Sequence, residues 1–287
     1  MNTDGWKPTV LCSSVFFCGL HRASGPTTLR TRVPSVPLLV TIGRRFVAIS
    51  FVAFGLQHLV HGDFVTRVVV SWPGWIPGPQ LAAYIIGVVL IAVGISIFAS
   101  WRTRAIALAT GALLLLSFVF LGLPRALTDC LWCGQWTSAG KTLALSGGAF
   151  LVVATLPSPS RGPAWTWVAG RVLFAQFLLL AGIQHFIWAG GVSGLVPAWI
   201  PHPLFWTYFA GCALAAGAVG ILIPKTMRLA GALIGLMIFS WVFLVHLPLA
   251  VKFGGTQNGN QITAMFEALA FSGMGLMIAG RQGQSRV

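Results

Sequence analysis

The sequence predicts an all-α membrane protein of eight transmembrane helices, arranged as two tandem four-helix bundles related by a pseudo-two-fold axis along the membrane normal. Three observations carry this expectation. Of 287 residues, 56% are hydrophobic and 8% charged, and the mean hydropathy is +0.86, which excludes a soluble domain of ordinary make-up. Eight apolar stretches reach, or nearly reach, the roughly 20 residues needed to cross about 30 Å of hydrocarbon at 1.5 Å per residue. The last four of those stretches repeat, in order, residue patterns found in the first four.

Residues 1–39 carry one short apolar patch, Val10–Leu20, broken by Cys and Ser and followed by Arg22, Arg30 and Arg32. They lack a convincing signal-peptide pattern and read as a disordered tail. The first unit, 40–156, holds helices at 41–60, 80–100, 104–123 and 138–156. Its first helix is the weakest of the eight, because Arg44 and Arg45 must snorkel to the interface, and a half-inserted helix is the alternative there. The stretch 157–164, Pro-Ser-Pro-Ser-Arg-Gly-Pro-Ala, is a linker by its turn-forming residues. The second unit, 165–280, holds helices at 165–188, 204–223, 227–247 and 261–280, and 281–287 is a C-terminal tail.

Eighteen Lys and Arg stand against four Asp and Glu, a formal charge of +14. Such an excess raises the question of nucleic acid in a soluble protein. Here the basic residues lie between apolar stretches, so anionic lipid headgroups are the expected counter-charges and nucleic acid is not an expected partner. Arg67, Arg125, Lys141 and Lys252 fall on one side of the predicted topology and the other fourteen basic residues on the opposite side. Lys and Arg near helix ends favour the cytoplasm, so the expectation is a multi-pass protein of the cell membrane with both termini cytoplasmic.

The internal repeat is explicit. Gly55-Leu56-Gln57-His58 recurs as Gly182-Ile183-Gln184-His185, and Pro73-Gly74-Trp75-Ile76-Pro77 recurs as Pro197-Ala198-Trp199-Ile200-Pro201. Tyr84 and Gly87 match Tyr208 and Gly211, Ser117–Leu121 matches Ser240–Leu244, and Ala144-Leu145-Ser146-Gly147 matches Ala270-Phe271-Ser272-Gly273. An even number of helices per copy sends both copies into the membrane in the same sense, as a fused two-fold dimer would be.

These repeated residues, Gln-His at the end of a first helix followed by Pro-x-Trp-Ile-Pro and an aromatic-rich second helix, resemble the DoxX-like family of four-helix membrane proteins. The resemblance covers both halves after residue 40. It implies a four-helix membrane fold and an association with membrane redox chemistry, since the family takes its name from a subunit linked to thiosulfate:quinone oxidoreduction. No family catalytic residues carry over to this chain.

The unusual polar residues gather toward the expected extracytoplasmic end. Gln57, His58, Gln184 and His185 lie at corresponding places, where they could cap helix ends, bridge the halves or share a ligand. Metal or haem ligation lacks the usual ligand number and spacing, so no metal site is assigned, and the sequence leaves the cofactor unknown. Lys141 and Glu267 occupy one repeat position, about six residues into the fourth helix of each half, and either form an ionisable site or fix helix packing through local polar partners. His246 belongs only to the second half, which makes His185, His246 and Glu267 the better place for such a site. Cys130-Leu-Trp-Cys133 has the two-residue spacing of a redox dithiol and reads either as a structural disulfide or as a reactive pair. Trp75 and Trp199 read as interfacial anchors, where a quinone headgroup could also stack.

There is no phosphate-binding loop, no HExxH and no Ser-His-Asp arrangement, and acidic residues are too few for a glycosidase. The expected function is a subunit or accessory of a quinone-linked membrane redox system, with quinone or other redox subunits as partners beside the lipid bilayer. The alternatives are a small-solute or proton-coupled transporter, with Glu267 titrating, and a non-catalytic assembly protein that binds through motifs such as Gly231-x-x-x-Gly235.

Overall fold

The structure is a computed structural model that describes residues 38–65, 77–128, 133–157, 159–256 and 259–281. Among them, eight helices are long and apolar enough to cross a membrane. They are α1 (Leu38–His61), α2 (Pro79–Ala99), α3 (Thr103–Thr128), α4 (Cys133–Ala154), α5 (Ala164–Ile187), α6 (Pro203–Leu222), α7 (Met227–Phe253) and α8 (Asn260–Gly280). The tails and the Pro73–Ile76 motif lie outside the described residues.

Local chemistry sets the helix ends. Pro79 and Pro203 open α2 and α6, where a missing N–H costs nothing and a fixed φ is already helical. The residues before them, Gly78 and His202, turn the chain through the left-handed region at φ 76° and 57°. Inside α3 and α7 the helix widens to a π-turn, at Phe118–Gly122 and Val242–His246. Each is followed at its second residue by a proline, Pro124 and Pro248. A proline ring has no N–H and collides with the carbonyl four residues back, so the preceding turn opens while the helix continues. This is why α3 and α7 run on to 128 and 253, past the expected ends at 123 and 247. α4 starts at Cys133, earlier than the expected 138, because its first turns, Gly-Gln-Trp-Thr-Ser, pack against protein and need not be apolar. α1 is one continuous helix through Arg44 and Arg45, not a half-inserted one.

α4 and α8 form the centre: 83% and 72% of their apolar windows are buried, against 22% to 44% for the other six. α4 packs on α3, α5 and α8, and α8 packs on α1, α7 and α4. The first helix of each half therefore lies against the fourth helix of the other, α1 on α8 and α5 on α4, where two self-contained bundles would have closed within each half. The halves interlock, and the described residues fall in one compact unit.

Small residues allow these crossings. Gly43 of α1 faces Gly273 of α8, and a Cβ on Gly273 would stand 2.6 Å from the Gly43 carbonyl. Gly170 of α5 faces Gly147 of α4 in the same way, with 2.8 Å from a Gly170 Cβ to the Gly147 carbonyl. Side chains any larger would hold the backbones apart and forfeit the dispersion contact that drives association in lipid. Gly231 and Gly235 seat α7 on α8 beside Gly275, so this GxxxG motif serves a contact inside the molecule. The outer helices turn Leu81, Val88 and Ile95 of α2 and Leu229, Leu233 and Leu236 of α7 outward, a surface suited to lipid.

Candidate functional site: a buried ion pair between the central helices

Lys141 lies eight residues into α4 and Glu267 seven residues into α8, about 12 Å and 10 Å from the helix starts at 1.5 Å per residue. Their side chains meet across the α4–α8 contact, Lys141 Nζ donating to Glu267 Oε2 at 2.6 Å, with 10% and 2% of the two side chains exposed. A charge at that depth is tolerated only when paired, and the pair leaves this part of the core neutral. The two residues expected from the sequence to share a repeat position are thus each other's partners.

One helical turn above each charge stands a threonine, Thr137 before Lys141 and Thr263 before Glu267. Each threonine holds a glutamine from the other half. Thr263 Oγ1 donates to Gln57 Oε1 at 3.1 Å, and Gln57 Nε2 donates to the Gly259 carbonyl at 3.0 Å. Thr137 Oγ1 donates to Gln184 Oε1 at 3.0 Å, and Gln184 Nε2 donates to the Cys133 carbonyl at 3.3 Å. The same clamp therefore occurs twice, tying α1 to the start of α8 and α5 to the start of α4. Gly259, at φ 72°, leaves room for it: a Cβ there would lie 2.8 Å from Gln57 Nε2 and 2.9 Å from His61 Nε2. The threonines were not singled out from the sequence, although their four-residue spacing to Lys141 and Glu267 is an identical signal in both halves.

The glutamines bridge the halves; the histidines beside them do not. His58, fully buried, donates from Nδ1 to the Phe54 carbonyl at 2.7 Å while its Nε2 accepts from the Val65 N–H at 3.3 Å. Those two contacts assign the neutral Nδ1–H tautomer. His185 Nδ1 makes the same 2.7 Å bond to the Ala181 carbonyl, and its ring stacks on Trp241 at 6.3 Å. His246 is the last residue of the α7 π-turn, which packs on α8, and its Nδ1 is buried. Deeper still, Ser146 donates to the Gly111 carbonyl at 2.7 Å and Ser272 to the Gly235 carbonyl at 2.9 Å, so the repeated Ser-Gly steps hold α4 to α3 and α8 to α7.

Cys133 is a half-buried free thiol at the head of α4, while Cys130 lies outside the described residues. Trp75 is likewise outside them. Trp199, 72% exposed, projects from the turn closed by the Ile200 N–H to Pro197 carbonyl bond. Among the described residues no three His, Cys, Asp or Glu side chains stand together closely enough to hold a metal ion. An open groove of about 340 Å³ lies between α1 and α2, walled by Ala48, Val52, Leu56, Gly94, Phe98 and Phe266.

A family model described as a domain of unknown function, DUF8561, matches residues 174–272. The similarity runs from within α5 to within α8 and includes Gln184, His185, His246, Thr263 and Glu267. No curated protein and no solved structure matches the chain.

Proposed function

We propose that this chain is a proton-coupled carrier of a small anionic solute in the cell membrane, with both termini cytoplasmic and its two four-helix units related by a pseudo-two-fold axis along the membrane normal. The observation that carries the reading is the Lys141–Glu267 pair, sealed between the two central helices. An intramembrane ionisable pair is costly and marks a functional site by default. Charge balance then dictates the cycle. A proton added to Glu267 removes the negative charge that faces the buried Lys141 ammonium, a state destabilised by several kcal/mol. A solute anion taking the place of the carboxylate beside Lys141 restores neutrality. Loss of the proton re-forms the pair and expels the anion, so one proton and one negative charge move together. The Thr137–Gln184 and Thr263–Gln57 bonds, one helical turn before the pair, supply polar groups on the histidine side of it. The basic residues gathered at the other helix ends, from Arg44 to Arg281, support the orientation.

The test is proton uptake into proteoliposomes carrying a trapped pH dye, challenged with a panel of small carboxylate and sulfur oxyanions. Wild-type protein acidifies the lumen with at least one anion, and Glu267→Gln abolishes the signal. Uptake equal to that of protein-free vesicles for every anion would reject the carrier reading.

A second reading, an accessory of a quinone-linked redox system, draws on the DoxX-like resemblance, on the free Cys133 thiol, and on a groove whose apolar walls suit an isoprenoid tail. Quinone retained through purification, together with a Cys130/Cys133 thiol state that follows quinone poise, would favour it over transport.

A further inference from the structure

At the helix ends opposite the glutamine clamps, Trp167 in the first turn of α5 lies buried beside two guanidinium groups. Arg281, directly after α8, places Cζ 4.0 Å from the ring centroid, and Arg171 places Cζ 5.1 Å from it. Arg161, exposed in the turn before α5, is near enough for its charge to act on Arg281. Burial first, and then the charges of Arg161 and Arg171, bring the Arg281 pKa down to about 10.

Helix capping accounts for part of this cluster. Arg171 Nη1 donates to the Ile221 carbonyl in the last turn of α6 at 3.1 Å, and Arg161 Nε to the Leu156 carbonyl just past the end of α4 at 3.3 Å. Capping leaves Arg171 Nε and Arg281 Nη1 buried with no hydrogen-bond partner. Among the described residues it also leaves three positive charges without a neighbouring carboxylate, because the described acidic residues, Asp63 and Glu267, belong to the opposite end and to the central pair. Guanidinium groups fixed by an aromatic face have already lost most of their rotamer freedom, and their planar forks suit the oxygens of a phosphate. The positive end of the α5 dipole adds to the same field.

We propose that Arg161, Arg171 and Arg281, organised around Trp167, form a binding site for a phosphate-type oxyanion. A phospholipid headgroup or a free inorganic anion would supply the same chemistry. The site stands apart from the Lys141–Glu267 pair, so neither proposal depends on the other.

The test is thermal unfolding of the full chain in detergent, titrated separately with phosphatidylglycerol, phosphatidylcholine and inorganic phosphate. Stabilisation by phosphatidylglycerol well beyond phosphatidylcholine identifies a headgroup site, and stabilisation by inorganic phosphate identifies a free-anion site; both support the proposal. Arg281→Gln is expected to raise the half-saturating concentration about tenfold, as loss of a charged hydrogen-bond donor does. Arg102→Gln with Arg104→Gln, exposed arginines outside the cluster, leaves it unchanged. The wild-type titrations stand even if a variant fails to fold. Equal stabilisation by the two lipids with no response to phosphate, no stabilisation by any ligand, or an equal loss in the Arg102/Arg104 control would overturn the proposal.

Discussion

Lys141 and Glu267, 126 positions apart, meet at 2.6 Å on the two most buried helices of the molecule, each one turn beyond a threonine that clamps a glutamine of the opposite half. The first prediction follows from the burial of that pair. Glu267→Gln or Lys141→Met alone strands one charge in the core and is expected to cost about 3–5 kcal/mol. The double variant Lys141→Met/Glu267→Met removes both charges and should recover most of the loss. Thermal unfolding of the three proteins in one detergent checks this; a double variant no more stable than the singles would show that the charges were not each other's partners. In the transport assay the double variant is expected to stay silent, which separates a stability role from a coupling role.

The glutamine clamps should behave as a matched set. Gln57→Leu removes two hydrogen bonds and leaves the Gly259 carbonyl with the Thr263 hydroxyl as its side-chain donor, and Gln184→Leu likewise leaves the Cys133 carbonyl with the Thr137 hydroxyl. Each is expected to cost about 1–3 kcal/mol. Hydrogen exchange locates the effect: Gln57→Leu should speed exchange at the start of α8, and Gln184→Leu at the start of α4. Acceleration at the mutated helix alone would contradict the exchanged pairing of the halves.

Glycine substitutions separate close approach from helix propensity. At Gly273 a methyl group would press on the Gly43 backbone carbonyl, which has no side-chain freedom to yield, so Gly273→Ala should destabilise the protein despite the better helix propensity of alanine. At Gly190 a methyl meets nothing within 4 Å, and Gly190→Ala should be neutral or stabilising by up to about 1 kcal/mol. Paired unfolding curves decide the sign of each.

The proposed orientation has its own check. With the native cysteines replaced, a cysteine at exposed Lys225, between α6 and α7, should react with an impermeant thiol reagent only from the cytoplasmic face. One at exposed Thr256, between α7 and α8, should react only from outside. The reverse pattern would invert the topology.

Much of the scaffold was legible before any coordinates. Apolar length alone located all eight helices, because in a bilayer every backbone polar group must be satisfied within its own helix and the hydrocarbon thickness sets the length. Errors came at the ends. Hydropathy stops where polar residues begin, yet the first turns of α4 are polar and packed against protein, and α3 and α7 pass through prolines that a π-turn accommodates. The Leu-Pro that follows both π-turns, at 123–124 and 247–248, is the sequence signal for them.

Of the site, the sequence by itself determined which residues share a repeat position: Gln57 with Gln184, His58 with His185, Lys141 with Glu267. Only the tertiary structure decided who touches whom. A repeat states equivalence, not contact, and equivalent residues meet only where they lie close to the line between the halves. Lys141 and Glu267 lie on the central helices and reach each other. Gln57 and Gln184 lie on α1 and α5 and reach the opposite half's fourth helix, because glycines let those helices pack closely against it. His58 and His185 turn back on their own helices. Of the Arg171–Trp167–Arg281 cluster only Arg171 has a counterpart in the first half, Arg44; the cluster joins the first turns of one helix to the residue after another, and folding alone brings those ends together.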